Sequence, residues 1–289
     1  MPNFLGIGGW GCGTTWLFIN FRRHPEIWMP PRKELHYFDR SPVYPSPSLL
    51  AEDKLIRRLF GREKHHRQFR ADLTHAMGKS LVYCRPNWFL WNMRYFFGRC
   101  SDEWYRSLFA QGKGKVTGEI TPQYSILDES IVAQIHSIMP QTKIILLLRN
   151  PIQRTWSLLR KKGCAQLPPD RIMRIFYSGK DTRDDFLSTL AHWRAYFSEE
   201  QIFIGFFDEI SENPEGLLKR IYQFLGVPED DEQGLSYARE KVNVAPAHEM
   251  PRELETLLAK DYLDSLKQLS EMLGGYATKW LTEAEAVLR

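Results

Sequence analysis

Cysteine is scarce in this chain and poorly spaced for joint work. Cys12, Cys84, Cys100 and Cys164 form no C-x-x-C pair and have no histidine partners at metal-ligand spacing. That excludes a zinc framework, so no metal is expected and the thiols are read as reduced and mostly buried. Long apolar runs are missing too: nothing approaches the roughly eighteen residues of a membrane span, and no basic stretch followed by an apolar one opens the chain. No membrane partner is therefore expected, and the protein is read as cytoplasmic. Charge of one sign is also in short supply. A net charge of +4 over 289 residues suits an anionic ligand but is too small and too dispersed for a nucleic-acid partner. Pairs such as Arg57-Arg58 and Lys161-Lys162 read as solvated helix faces. No internal repeat and no long flexible linker divides the chain, so one domain over 1–289 is expected, with a helical, aromatic-rich insertion at about 49–112.

What the sequence does have is a glycine-rich opening. The apolar run Phe4-Leu5-Gly6-Ile7 leads into Gly8-Gly9-Trp10-Gly11-Cys12-Gly13-Thr14-Thr15-Trp16-Leu17. A strand, then glycines, then hydroxyl residues opening a helix aims free backbone N–H groups and a helix N-terminus at one anion. Gly8 and Gly13 stand at Walker A spacing, but Thr14 occupies the lysine position, which removes the case for nucleotide triphosphate hydrolysis and keeps the cradle. A P-loop phosphotransferase is disfavoured again by Arg149, which ends a strand where an acidic metal ligand would be wanted.

Further elements follow from pattern. Lys143 to Leu148 contains Ile144-Ile145-Leu146-Leu147-Leu148, the continuous apolar run of a parallel strand covered on both faces. Lys115–Ile120 and Ile202–Phe207 read as further strands, and Lys33–Asp39 as a short extended segment. Helices are predicted over Thr14–Arg23, Ser125–Met139, from Pro151, over Asp184–Phe197, from Pro214 and, as one long element, after Pro251. Strands alternating with helices give an α/β fold, a single P-loop-like domain with a central parallel sheet and helices on both faces. The aromatics between Trp88 and Phe109 read first as core contacts and second as an apolar acceptor pocket.

Four segments in order resemble the sulfotransferases that use 3′-phosphoadenosine 5′-phosphosulfate (PAPS), in particular the heparan-sulfate type and its bacterial relatives. Phe4 through Leu17 resembles their 5′-phosphosulfate loop. Leu147-Leu148-Arg149-Asn150-Pro151-Ile152-Gln153-Arg154-Thr155-Trp156-Ser157 resembles their 3′-phosphate element, and Lys33-Glu34-Leu35-His36-Tyr37-Phe38-Asp39 their Lys-Glu-x-His-Phe-Phe segment. Gly118-Glu119-Ile120-Thr121-Pro122-Gln123-Tyr124 is the fourth match.

The resemblance implies PAPS as donor, adenosine 3′,5′-bisphosphate (PAP) as product, and transfer of a sulfuryl group to the hydroxyl or amine of a small-molecule or glycan acceptor. It implies Gly11, Cys12, Gly13, Thr14, Thr15 and Trp16 around the 5′ end, with Trp16 either stacked on the adenine or spent on helix packing. Arg149 and Ser157 would hold the 3′-phosphate. Glu34 matches the family's catalytic base, its pKa to be raised by a partly apolar site; His36 is the second candidate, and Lys33 would neutralise the transferring group. One departure stands out: Gly11 occupies the place of the family's loop lysine. The alternative is therefore a weakly active or non-catalytic PAPS- or PAP-binding protein. Acceptor identity and oligomeric state stay open at this level.

Overall fold

A computed structural model describes residues 1–41, 43–44, 49–178, 185–244 and 248–289. Five strands form the centre: β1 (Phe4–Gly6), β2 (Ile27–Trp28), β3 (Val116–Ile120), β4 (Lys143–Leu148) and β5 (Ile202–Phe206). They lie in the order β2-β3-β1-β4-β5, and every neighbouring pair is parallel. β4 has the bounds expected from its apolar run, and Ile144 through Leu148 are all at most 2% exposed. Such burial on both faces is what a parallel sheet between helix layers imposes. The protein is a single α/β domain in which helices flank this sheet.

Helix α1 (Thr14–Phe21) follows β1. Between β2 and β3 lie α2 (Leu55–Phe60), α3 (Lys64–Val82), α4 (Pro86–Phe97) and α5 (Asp102–Ser107). α6 (Glu129–Ile138) precedes β4, and α7 (Pro151–Lys161) follows it, begun by Pro151 and by the Asn150 side chain, which accepts from the Ile152 N–H. Pro at the first helical position and Asn at the cap explain why the helix starts where the strand stops. α8 (Pro169–Ser178) and α9 (Phe186–Arg194) lead to β5, then α10 (Phe207–Glu212), α11 (Pro214–Leu225) and α12 (Glu232–Leu235). The chain closes with α13 (Arg252–Leu273) and α14 (Gly275–Leu288), which pack against each other. No helix among the described residues is long and apolar enough to cross a membrane.

Two expectations change, and one strand is added. Ser125–Met139 is not one helix: a 3₁₀ turn covers Pro122–Ile126, and α6 starts at Glu129. The long helix expected after Pro251 is α13, which Gly274 and Gly275, both at positive φ, separate from α14. β2 is a two-residue strand the sequence reading missed. Lys33–Asp39 is not extended, since Glu34 and His36 have φ of 64° and 56°. Asp184, the expected start of the helix before β5, lies outside the described residues.

With β1 between β3 and β4, the loop leaving Gly6 emerges between the loops leaving Ile120 and Leu148. Three loops therefore meet at the carboxyl edge of the sheet, where open α/β sheets present ligand sites.

Candidate active site

The glycine loop is shaped by contacts that admit no side chain. A Cβ at Gly8 would lie 2.8 Å from the Leu147 backbone nitrogen, so the loop rides directly on β4. Gly13 has φ of +93°, and a Cβ there would meet Ile210 Cδ1 at 2.3 Å. Gly13 is also the residue before α1, and that helix begins with no side-chain cap and no acidic residue in its first turn. Its first N–H groups and the positive end of its dipole therefore face the loop uncompensated. Thr14 is 6% exposed and Thr15 half-buried. Cys12 is fully buried, and burial pushes its thiol up to about 11 against the opposing charges of Arg154 and Arg149. It lines the loop as a neutral group.

Arg149 leaves β4 and turns onto this loop: its Nη1 donates to Gly11 O at 2.8 Å, and its guanidinium lies 3.9 Å from the centre of the Phe207 ring. One donor is thus spent on the loop itself, and the stacked plane fixes where the rest of the fork points. Ser157, eight residues on, lies in α7 at 4% exposure.

Trp16 is the residue whose two readings the structure separates. Its indole is 3% exposed and donates from Nε1 to Ala238 O at 2.7 Å, an anchor between α1 and the segment after α12. The ring is sealed in the core, so the geometry matches helix packing rather than a stacking face.

Opposite the loop, the 33–39 segment carries a run of charged contacts. Lys33 Nζ donates to Glu34 Oε1 at 2.6 Å and to Thr14 Oγ1 at 3.4 Å. Glu34 Oε2 lies 3.6 Å from His36 Nε2, and His36 Nδ1 is 2.6 Å from Asp39 Oδ2. The left-handed backbone at residues 34 and 36, rather than strand alternation, brings the two side chains to one side. Such conformations cost about 1–3 kcal/mol each away from glycine, and here tertiary contacts hold them. The Glu34 N–H donates to Ile120 O at 3.2 Å. The Leu35 N–H donates to Glu119 Oε2 and Thr121 Oγ1, the Leu35 carbonyl accepts from Tyr95 Oη, and the Leu35 side chain is fully buried.

Glu119 is the hub of that support. Its buried carboxylate accepts from Tyr105 Oη (2.5 Å), Thr121 Oγ1 (2.7 Å), Tyr124 Oη (3.0 Å) and the Leu35 N–H (3.3 Å). Tyr124 Oη in turn accepts from the Tyr37 N–H. The Gly118–Tyr124 segment and the aromatics of α4 and α5 thus form the framework beneath the charged loop. Trp91, Tyr95, Phe96, Trp104, Tyr105 and Phe109 are buried, as the core reading of that stretch expected, whereas Trp88 and Phe89 are only half-buried and Phe97 is exposed.

The charge states differ from expectation. Burial pushes the Glu34 carboxyl up, but the His36 hydrogen bond, the Lys33 charge and the Lys33 hydrogen bond outweigh it and hold the pKa at about 2. Burial likewise opposes the imidazolium of His36, yet the hydrogen bonds it donates to Asp39 and Glu34 raise its pKa to about 9. Near neutrality the ordering is Lys33⁺, Glu34⁻, His36⁺, with Asp39 at the buried end. The apolar elevation expected for Glu34 does not occur, because two cations flank it. Asp39 was missed by the sequence reading; its only signal was an acid three residues beyond a histidine, and the contact depends on the turn that His36 makes.

The family described as Sulfotransferase domain matches residues 7–243. Heparan sulfate glucosamine 3-O-sulfotransferase 6 of Homo sapiens is 31% identical over 151 residues, 46% of this chain and 43% of that protein. Heparan sulfate glucosamine 3-O-sulfotransferase 3B1 of Homo sapiens is 27% identical over 150 residues, 46% and 38% of the respective lengths. The match thus spans less than half the length of these relatives. Among solved structures, a sulfotransferase from Alicyclobacillus acidocaldarius is similar at a TM-score of 0.62 and 19% identity, covering 97% of this chain and 98% of that one. A sulfotransferase domain from the curacin biosynthetic pathway gives 0.53 at 14% identity, covering 86% and 81%. At these identities the structural likeness speaks for the fold alone.

Proposed function

The chain belongs to the sulfotransferase family, and from that premise we propose that it moves a sulfuryl group from PAPS to an acceptor hydroxyl, with Glu34 taking the acceptor proton. The observation that carries the reading is the contact run Thr14–Lys33–Glu34–His36–Asp39, which joins the anion loop to a carboxylate and a histidine within one site. The residues fit the donor. A polyanion finds the N–H groups opening α1, the ammonium of Lys33 and the guanidinium of Arg149. The loop and the hydroxyls of Thr14 and Thr15 would take the 5′ end, and Arg149 with Ser157 the 3′-phosphate. Trp16 leaves the list of donor contacts. Cys12 stays as a buried, neutral part of the loop.

Protonation assigns the roles. His36, at about 9, is an imidazolium at neutral pH and can donate or neutralise but not accept a proton. Glu34 is ionised and can accept one, although at about 2 it is a weak base while Lys33 holds it. A phosphosulfate in the loop competes for Lys33, whose ammonium already touches Thr14. As Lys33 turns to that anion, Glu34 loses a stabilising cation and its pKa rises. Donor binding and base strength are thereby linked through one side chain. The acceptor class we favour is a glycan hydroxyl, supported by the names of the relatives over the matched stretch.

The test has two parts. PAP should raise the melting temperature where ATP with magnesium does not, and ³⁵S-labelled PAPS should label heparan sulfate oligosaccharides. Stabilisation by ATP alone would sink the donor assignment. PAP binding without transfer to any glycan or simple alcohol would favour the non-catalytic alternative, which Gly11 keeps in play.

A further inference from the structure

Gly11 leaves the anion loop without its own cation, and its backbone explains why one cannot simply be supplied there. Gly11 has φ of +81°, in which any side chain is strained. Its Cβ direction points at α7, where ideal placement would bring it 3.5 Å from Arg154 Cγ and 3.6 Å from Leu158 Cδ2. Arg154 and Leu158 are four residues apart, hence on one stripe of the helix, and the next member of that stripe is Lys161, three residues further on. The helix face lying over the loop at its glycine therefore ends in a lysine.

Resting on the sulfotransferase reading above, we propose that Lys161 supplies, from α7, the cation that the loop lacks at Gly11, and meets the charge that develops on the departing 5′-phosphate. In the transfer, the acceptor oxygen bonds to sulfur while the bond from sulfur to the bridging oxygen breaks. The electron pair stays on the 5′-phosphate, the acceptor proton passes to Glu34, and no further reactant is needed. Four cations then bracket the loop: Arg149 at Gly11 O, Lys33 at Thr14 Oγ1, Arg154 with its Cγ beside Gly11, and, in this proposal, Lys161 further along the same stripe of α7.

Two observations favour Lys161 over Lys33 for this task. Lys33 is committed to Glu34 at 2.6 Å, whereas Lys161 is exposed and makes no hydrogen bond or ion pair among the described residues. Burial lowers the Lys161 pKa first, and the charges of Arg149, Arg160 and Lys33 lower it further, so its ammonium lies within the electrostatic reach of Arg149 and Lys33 at the loop. An anion in the loop relieves that mutual repulsion.

The test uses the full chain and two readouts, so that the proposal and the underlying reading can fail separately. Calorimetry with PAP measures donor-site binding. Release of PAP from PAPS, with water as acceptor, measures sulfuryl transfer without a known glycan. For Lys161→Ala we expect the transfer rate to fall about a hundredfold, as when one preorganised donor is removed from developing charge, and PAP, which keeps that charge on its 5′-phosphate, to bind about tenfold more weakly than to the parent. Lys161→Arg should recover at least a tenth of the rate, and urea midpoints should agree for all three proteins. If the parent binds PAP and Lys161→Ala transfers within twofold of it, the proposal is overturned while the donor reading stands. Parent protein that binds PAP but releases none above the spontaneous rate overturns it as well. Parent protein that does not bind PAP removes both.

Discussion

Lys33 Nζ bridges Glu34 Oε1 at 2.6 Å and Thr14 Oγ1 at 3.4 Å, so a single ammonium belongs at once to the base candidate and to the anion loop. Its position decides whether the carboxylate is held quiet or released.

Lys33→Met is therefore expected to act in two directions. Glu34 loses a cation and its pKa moves up from about 2. The parent's kcat/KM should stay flat between pH 6 and pH 4.5, and the variant should show an acid limb there. Donor affinity should drop about tenfold, or ~1.4 kcal/mol, within the range of a hydrogen bond to a charged group. A pH–rate series with PAPS checks both, and an unchanged acid side would separate Lys33 from Glu34.

Asp39→Asn addresses the other end of the run. His36 titrates at about 9 when folded against a reference of 6.5, so its contribution to stability is complete below pH 6.5 and is lost as pH rises through 9. The depressed Glu34 acts oppositely: its contribution is present above its reference of 4.5 and is lost as pH falls toward 2. Urea midpoints of the parent at pH 6 and pH 9 should thus differ in favour of pH 6. In Asp39→Asn that difference should shrink, because the neutral amide can still accept from His36 but no longer supplies the carboxylate charge that favours the imidazolium. An equal difference in both proteins would show that His36 does not depend on Asp39.

Gly13→Ala combines a positive φ with a Cβ that would meet Ile210 Cδ1 at 2.3 Å. A loss of about 2 kcal/mol is expected from backbone strain alone. Adding Ile210→Ala relieves the contact but not the φ, so the double variant should recover only part of the stability and little PAP binding. Full recovery of both would mean the loop tolerates another conformation.

Trp16→Phe separates packing from base stacking. The variant loses the hydrogen bond to Ala238 O and some buried surface, a cost of about 1 kcal/mol. PAP affinity should stay within twofold, since the ring is 3% exposed. A tenfold weaker affinity with little loss of stability would return the indole to the donor site.

Sequence carried the frame of this fold because its determinants are local. The run Ile144–Leu148 and the glycines from Gly8 to Gly13 announce a buried strand and a loop that a side chain would obstruct, with few competing readings. The site was legible as residue types and less so as geometry. Glu34 and His36 stand out in the sequence, but their left-handed backbone depends on Leu35 being held by Glu119 and Tyr95, 84 and 60 positions away in the chain. The indole of Trp16 finds its acceptor 222 positions away. β2, with two residues, is too short to show a period. Lys161 and Lys162 face solvent as the sequence suggests, and the role proposed for Lys161 rests on α7 being set against Gly11.

The hydroxyls of Tyr95 and Tyr105 reach from the helical layer onto the Leu35 carbonyl and the Glu119 carboxylate that carry the charged loop. On the proposed reading this makes that layer a mechanical support of the base candidate Glu34. If Glu34 takes the acceptor proton as proposed, recutting α4 or α5 to admit a different alcohol would also re-aim it. Substrate range and turnover should therefore trade against each other unless those two phenols are left in place.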